Sequence, residues 1–325
     1  MDESLINILN SVVANATPLV IAGIGETITE RAGVVNLSLD GSLALAAMVG
    51  FVTALATQSV IAGLIAAMIA GALVALIIAI AGIELKQDQV AVGFVLTLLA
   101  ADLALFLGQD YTRTRGPQLL SVPLPVLKDI PVVGEIFFNH QPLVYVSYIL
   151  IFVTWYILFH TRAGLAHRAV GERPETAFAR GTNVNRMRYF YTILGGALVG
   201  LAGAAYSLAV KPGWSTPPVM RGDGWIALAI VIFAGWHPFR VVLGAYLFAG
   251  LRALASAIQR SPDIQIPLVL LNGLPWLLMI VTLLLVSSGA VERLLSVMPR
   301  PLQKSMRSVL RSDPPAALGT RFDEG

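Results

Sequence analysis

The sequence contains no cysteine. Disulfides, thiolate zinc sites and cysteine nucleophiles are therefore excluded. Its four histidines are scattered, so no histidine metal cluster is expected. Charge is scarce too: 13% of the 325 residues are Asp, Glu, Lys or Arg, where a soluble domain carries about 25%. No Lys or Arg precedes Arg31, and the first residues, MDES, are acidic. A cleavable leader starts basic, so none is expected. There is no G-x-x-x-x-G-K-[ST] phosphate loop, so the chain should bind no ATP. No paired His–Glu, Ser–Lys or Asp–Asp constellation recurs at helical spacing, which argues against an intramembrane enzyme.

What the chain does have is hydrocarbon. Residues of hydrophobic type make up 56%, and the mean hydropathy is +0.77. The apolar runs approach the roughly 20 residues a helix needs to cross a bilayer. The fold class is therefore all-α, a polytopic membrane bundle. Nine spans are expected, near 5–25, 42–57, 59–82, 90–107, 142–160, 189–210, 224–236, 241–258 and 266–286. The seventh is short, and reads either as a slanted crossing or as half of a discontinuous helix of the kind that lines solute paths. The first carries Asn7, Asn10, Asn15 and Thr17 with Pro18 at its middle, so it should face the bundle interior.

Between the first two spans, residues 26–41 hold Glu26, Glu30, Arg31, Asn36 and Asp40, with Gly33 interrupting the helical pattern. This reads as a cytoplasmic turn followed by a broken or re-entrant element. The plainer alternative is a solvated turn with Asp40 capping the next helix. Asp102 sits inside the fourth span, where a lone acid should face the bundle or a wet cavity. Residues 108–141 form a long, proline-rich external segment with balanced charge, suited to docking an external partner. Trp214 and Trp225 fit an interfacial belt.

The polar loop 161–188 is different in kind. Arg162, Arg168, Arg173, Arg180, Arg186 and Arg188 oppose Glu172 and Glu175. That excess places the loop in the cytoplasm. Pro174 suits a first helical position. Glu175 and Arg180 complement the two ends of the helix dipole, and Gly181 can take the left-handed conformation that closes a helix. So 174–180 should form about two turns, with Ala177 and Phe178 as apolar contacts; an ordinary solvated loop is the alternative. The tail, 287–325, is basic and belongs on the same side. Leu302, Met306 and Leu310 recur every four residues, as in a helix lying on anionic headgroups; a disordered tail is the other reading. The N-terminus then lies outside and the C-terminus inside. The membrane domain is 1–286, with the loop inside it.

Three segments carry a family resemblance: ERAGVVNLSLDG (30–41), GLAHRAVGERPETAFARGTNVNRMRY (164–189) and GWIALAIVIFAGWHPF (224–239). They resemble the permease subunits of bacterial ATP-binding-cassette importers for branched-chain amino acids, sugars and nucleosides, most closely the nucleoside (simple-sugar) type. The resemblance implies that 174–180 is the coupling helix that sits in a groove of the ATPase subunit. The residues matching its motif are Gly171, Pro174, Ala177, Gly181 and Asn183, with Glu175, Phe178 and Arg180 beside them. Arg173 and Phe178 depart from the family's less bulky residues, and Asp88–Gln89 stands where the branch tends to have Asn–Gln.

The partners implied are an ATPase with two fused nucleotide-binding domains, a second permease, an external substrate-binding lipoprotein and the lipid of the cell inner membrane. No nucleic acid, cofactor or metal is implied. Candidates for the solute path are Asn36, Asp40, Gln89, Asp102, Trp225 and Asn272, each with a plainer reading as a packing or interfacial residue. The alternative function is an ion-coupled secondary transporter of a small polar solute, using Asp102, Asp40 and Glu26 as ion sites.

Overall fold

In a computed structural model, residues 3–260, 273, 277, 280, 281 and 313–323 are described. The chain folds into helices joined by short turns, apart from a long segment before residue 142 and a shorter one at 211–222. In chain order they are α1 (Glu3–Arg31), α2 (Leu39–Thr57), α3 (Val60–Ala79), α4 (Gln89–Gly108), α5 (Val133–Phe137), α6 (Pro142–His160), α7 (Arg162–Glu172), α8 (Pro174–Ala179), α9 (Val184–Ala205), α10 (Asp223–Phe233) and α11 (Pro238–Arg260). Short π-helical turns extend α3 to Glu84 and α9 to Val210.

Seven of the described helices are long and apolar enough to cross a membrane: Leu5–Arg31, Leu39–Thr57, Val60–Glu84, Gln89–Tyr111, Pro142–His160, Val184–Val210 and Pro238–Gln259. Expected span 224–236 is instead the eleven-residue helix α10. At 1.5 Å per residue it covers about 16 Å, roughly half of the hydrocarbon thickness. Expected span 266–286, with Asn272, lies outside the described residues, as do Leu302, Met306 and Leu310.

Helix α9 is the axis of the bundle, packing on α1, α2 and α3. Its small residues explain why. A Cβ added at Gly71 of α3 would lie 2.3 Å from the Gly196 carbonyl oxygen, and one at Gly200 would lie 2.2 Å from that of Ala67. Backbones this close leave no room for side chains, which is how helices associate where lipid supplies no hydrophobic drive. The core beside them is apolar, with Leu43, Phe51, Leu208 and Ile226 fully buried. Trp214 joins that core at 3% exposure and packs against Gly108, so the interfacial position expected for it is not where it lies. An indole that size buries far more area in a gap than at a belt.

Helix α1 runs six residues beyond its expected end. Its last turn then tightens: Ala32 N–H donates to Thr29 O at 3.1 Å and Gly33 N–H to Glu30 O at 2.9 Å. That frees the Ile28 carbonyl from its helical partner, and His167 Nε2 on α7 fills the vacancy at 2.9 Å. Gly33, at φ +88°, turns the chain out of the helix.

Candidate functional site

Two regions concentrate polar chemistry. The first is at depth within the bundle. Past Gly33, residues 34–38 run non-helically beside α4. Val35 N–H donates to Gln89 Oε1 at 2.8 Å, and Gly41 N–H to Thr97 Oγ1 at 3.1 Å. Thr97 lies eight residues along α4 from Gln89, so the connection climbs about 12 Å between those anchors. Asn36 is buried, and its Oδ1 accepts from Ser38 N–H and Ser38 Oγ at 3.1 and 2.7 Å. These side chains satisfy backbone groups that no water reaches. Helix α2 therefore starts deeper in the bundle than the end of α1.

Helix α10 begins at the same place. Asp40 Oδ1 accepts from Gly222 N–H at 2.8 Å and Gly224 N–H at 3.1 Å. A Cβ at Gly224 would lie 2.2 Å from the Asp40 nitrogen, so the two helix starts abut. The plain expectation had Asp40 capping its own helix; it caps another, because a negative group gains most where free N–H groups point together. Asp223, 1% exposed, is the first residue of α10. It accepts from Tyr206 Oη at 2.5 Å and pairs with Arg252 through both guanidinium nitrogens.

Arg252 also lines a cavity of about 660 Å³ between α1 and α11, with Asn7, Ser11, Asn15 and Ser256 as its other polar groups. Amides, hydroxyls and one guanidinium on apolar walls are what a neutral, hydroxyl-rich solute would meet, and the volume suits a small molecule.

At the far end of α10 the chain turns through Gly235 and Trp236. Trp236 Nε1 donates to Glu30 Oε2 at 2.5 Å, while Arg31 donates to the carbonyls of Gly235 and Trp236 at 3.2 Å each. Glu30 is thus buried rather than solvated. Glu26, one turn earlier on the same face, is fully buried, with the backbone and side chain of Asn36 as its polar neighbours.

The second region is the loop between α6 and α9. Pro174 opens α8 and Glu175 sits in its first turn. Gly181, at φ +83°, closes it: its N–H donates to Phe178 O at 2.8 Å and Thr182 N–H to Ala177 O at 3.0 Å. This is the Schellman arrangement. Asn183 then caps α9 by accepting from Arg186 N–H at 2.8 Å. Gly171 is needed for contact, because a Cβ there would lie 2.2 Å from the Arg31 carbonyl oxygen. Ala177 points inward, while Phe178 is 45% exposed and Arg173, Glu175 and Arg180 face outward. A hollow of about 240 Å³ between α7 and α8 is lined by Glu172, Arg173, Thr176 and Arg180. His167 stacks on Tyr191 at 3.7 Å, and burial pushes its pKa down to about 4.

The candidate path residues are only partly brought together. Asn36, Asp40 and Gln89 line the climbing connection. Trp225 is half-buried beside the α10 start, its ring 6.3 Å from that of Phe94. Asp102 lies on the exposed outer face of α4, away from this chain's interior. The composition of the spans gave no notice of Asp223, Tyr206 or Glu30 as partners. Arg252 carried a signal, a lone arginine inside an apolar span.

Residues 8–287 match the family model described as "Branched-chain amino acid transport system / permease component". The chain is similar to the putative glucose ABC transporter permease protein TsgC13 of Haloferax volcanii, 39% identical over 78% of each chain. It is similar to the nucleoside ABC transporter permease protein NupC of Lactococcus lactis subsp. cremoris, 33% identical over 89% of this chain and 96% of that one. With the guanosine ABC transporter permease protein NupQ of Bacillus subtilis it shares 35% identity, over 85% of this chain and 90% of that one. No solved structure matches.

Proposed function

The chain belongs to the family of branched-chain amino acid transport system permease components and is a multi-pass transmembrane permease subunit of an ABC importer; on that premise we propose how it is driven and what it carries. Its cargo is a nucleoside or a simple-sugar-like solute. The relatives named for guanosine, nucleosides and glucose support this, and so do the amides and hydroxyls that line the α1–α11 cavity beside Arg252, whose charge Asp223 balances. The solute moves along that cavity towards the abutting starts of α2 and α10.

The drive comes from a separate ATPase subunit with two fused nucleotide-binding domains, with a second permease and an external binding lipoprotein completing the system. Helix α8 is the coupling helix. The observation that carries this reading is a short helix with its own proline start and glycine stop, facing outward through Phe178 among arginines. Such a unit moves as one piece, and coupling requires permease states that differ in their contacts with the motor. The arginine excess of this loop supports a cytoplasmic position for it, with the N-terminus outside and the C-terminus inside.

The test is uptake in proteoliposomes holding all subunits. Orthovanadate should block it, and an uncoupler at constant ATP should not. Deleting 174–180, or Gly181→Pro, should abolish uptake while membrane insertion survives. Normal uptake in the deletion would end the lever reading. Block by the uncoupler alone would favour the ion-coupled alternative.

A further inference from the structure

Residues 313–323 lie outside the stretch matched by the family model, yet they are laid across the loop surface described above. Ala317 N–H donates to Gly171 O at 2.8 Å, and Gly319 N–H to Gly33 O at 3.0 Å. Ala316 N–H reaches Glu172 Oε2 at 3.3 Å. The Thr320 carbonyl accepts from Arg188 Nη1 at 2.9 Å, on a guanidinium whose residue is only 2% exposed. Asp323 forms an ion pair with Lys86, just past α3. Phe322, 7% exposed, packs with Val170, Ala177 and Val184, and its ring meets that of Phe178 edge-on at 5.7 Å.

The contacts fall on separate elements. Gly33 belongs to the end of α1, Gly171 and Glu172 to α7, Ala177 and Phe178 to α8, Val184 and Arg188 to α9. Space for the crossing is built into the sequence. A Cβ at Gly33 would lie 3.1 Å from the Ala317 carbonyl oxygen, and Gly319 takes φ +72° to make the turn. Two backbone hydrogen bonds, a buried aromatic and a covered arginine are the marks of a fixed element. The inner face of α8 itself offers only Pro174 and Ala177 to the bundle. Much of what holds this six-residue helix is therefore the crossing segment. Arg321 is exposed, as are Arg173, Arg180, Arg186 and Phe178, and it precedes the Phe322 whose ring meets that of Phe178.

We propose that residues 313–323 are a strap that fastens the coupling helix to the cytoplasmic end of α1, so that the ATPase docks on a surface made jointly by α8 and the strap and moves both as one body. The proposal rests on the reading of α8 as the lever, and it specifies the partner surface: an apolar hollow for Phe178 with an acidic rim for the four arginines. A lever tied to α1 passes its movement directly to the helix that carries Glu30 and Arg31, and through them to the turn after α10.

The test uses three full-length variants and one truncation. Hydrogen exchange on the purified permease gives a readout that needs no transport. With Phe322→Ala, or with a stop after Ser312, amides of 174–180 should exchange at least about ten-fold faster, as local opening becomes easier. Unchanged exchange in both overturns the strap. In proteoliposomes with the ATPase, both variants should still insert and should lose about ten-fold in solute moved per ATP hydrolysed; an unchanged ratio overturns the joint movement. Arg321→Glu should weaken co-purification of the ATPase, and full recovery of the complex overturns the shared surface. Asp323→Ala is the control: that ion pair is solvent-exposed and should change little. If the truncated chain does not accumulate, Phe322→Ala decides. If wild-type uptake proves independent of the ATPase, the lever reading fails, while the exchange result still answers for the strap.

Discussion

Asp40, on the first turn of α2, caps a helix that starts 182 residues later: its Oδ1 accepts from Gly222 N–H at 2.8 Å. A second bond, from Gly224 N–H, comes to the same oxygen. The cap holds two partly buried helix starts together. Asp40→Ala should cost about 1–2 kcal/mol, the usual cost of losing a cap with its acceptors. Asp40→Asn keeps an acceptor oxygen and should keep most of the stability. Thermal melting of the detergent-solubilised permease measures both. Uptake should follow the same order, and equal melting of the two variants would mean the cap is idle.

The pair Asp223–Arg252 makes a sharper claim. Asp223 is 1% exposed as a side chain, and Arg252 37%. Arg252→Met leaves a buried carboxylate with only the Tyr206 hydroxyl for company. Breaking a buried pair from one side costs about 3–5 kcal/mol, and the partial exposure of Arg252 puts this case near the lower figure. Asp223→Asn combined with Arg252→Met removes the stranded charge and should recover more than half of the loss. A double mutant that melts no higher than Arg252→Met alone would show that the pair is not what holds α10 to α11.

Some of this was legible in the sequence. The long apolar runs located α1, α2, α3, α4, α6, α9 and α11, because a span is a local property of about 20 residues, whereas α5 and α7 carry no such run and were not legible. The helix at 174–180 was legible for the same reason: Pro174, Glu175 and Gly181 each act within a turn. The break in 26–41 showed in Gly33, although Glu26 to Arg31, expected as a turn, are the end of α1 and only 34–38 run non-helically. What pairing distance hides was not legible. Asp40 was visible as a polar residue, but nothing local names Gly222 as its partner. Trp214 looked like a belt residue, since its burial depends on the gap at Gly108. The headgroup helix expected of the tail lies outside the described residues, and the contacts of Ala317 and Phe322 have no periodicity to announce them. Asp102 was expected to face inward, whereas the exposed face of α4 that carries it is set by which side α2 covers.

His167 gives a pH dependence with a definite sign. Its Nε2 carries the proton that is donated to the Ile28 carbonyl, and a ring with that proton alone is neutral. Burial, with Arg31 and Arg168 nearby, pushes its pKa down to about 4, against about 6.5 in the unfolded chain. On acidification the unfolded chain takes the proton first. Stability is therefore complete above about pH 6.5 and falls as pH drops from there towards 4. At pH 5 the loss from this residue is about 2 kcal/mol, at 1.36 kcal/mol per unit. His140, lowered by burial too, acts in the same direction. His167→Gln can still donate to Ile28 without titrating. It should flatten the drop in melting temperature between pH 7.5 and 5, and an unaltered slope would assign the effect elsewhere.

Glu26 separates the two ways of powering the protein. It is fully buried, one helical turn from Glu30, with Asn36 as its polar neighbour. In an ion-coupled carrier, a carboxyl in such a place is the group whose protonation or cation binding does the work. In an ATP-driven permease it has no cycle to complete. Glutamine has the same shape and cannot ionise, so Glu26→Gln removes the ion site and leaves the packing. Uptake with the ATPase present should stay within about two-fold of wild type, and the melting temperature should hold or rise, since taking a carboxyl out of water is costly and an amide can keep the contact with Asn36. Glu26→Leu is the companion: it fills the space without polar atoms and should behave alike if only packing matters. Loss of uptake in both variants, with insertion and melting unchanged, would shift the drive from the nucleotide to an ion passing this carboxyl.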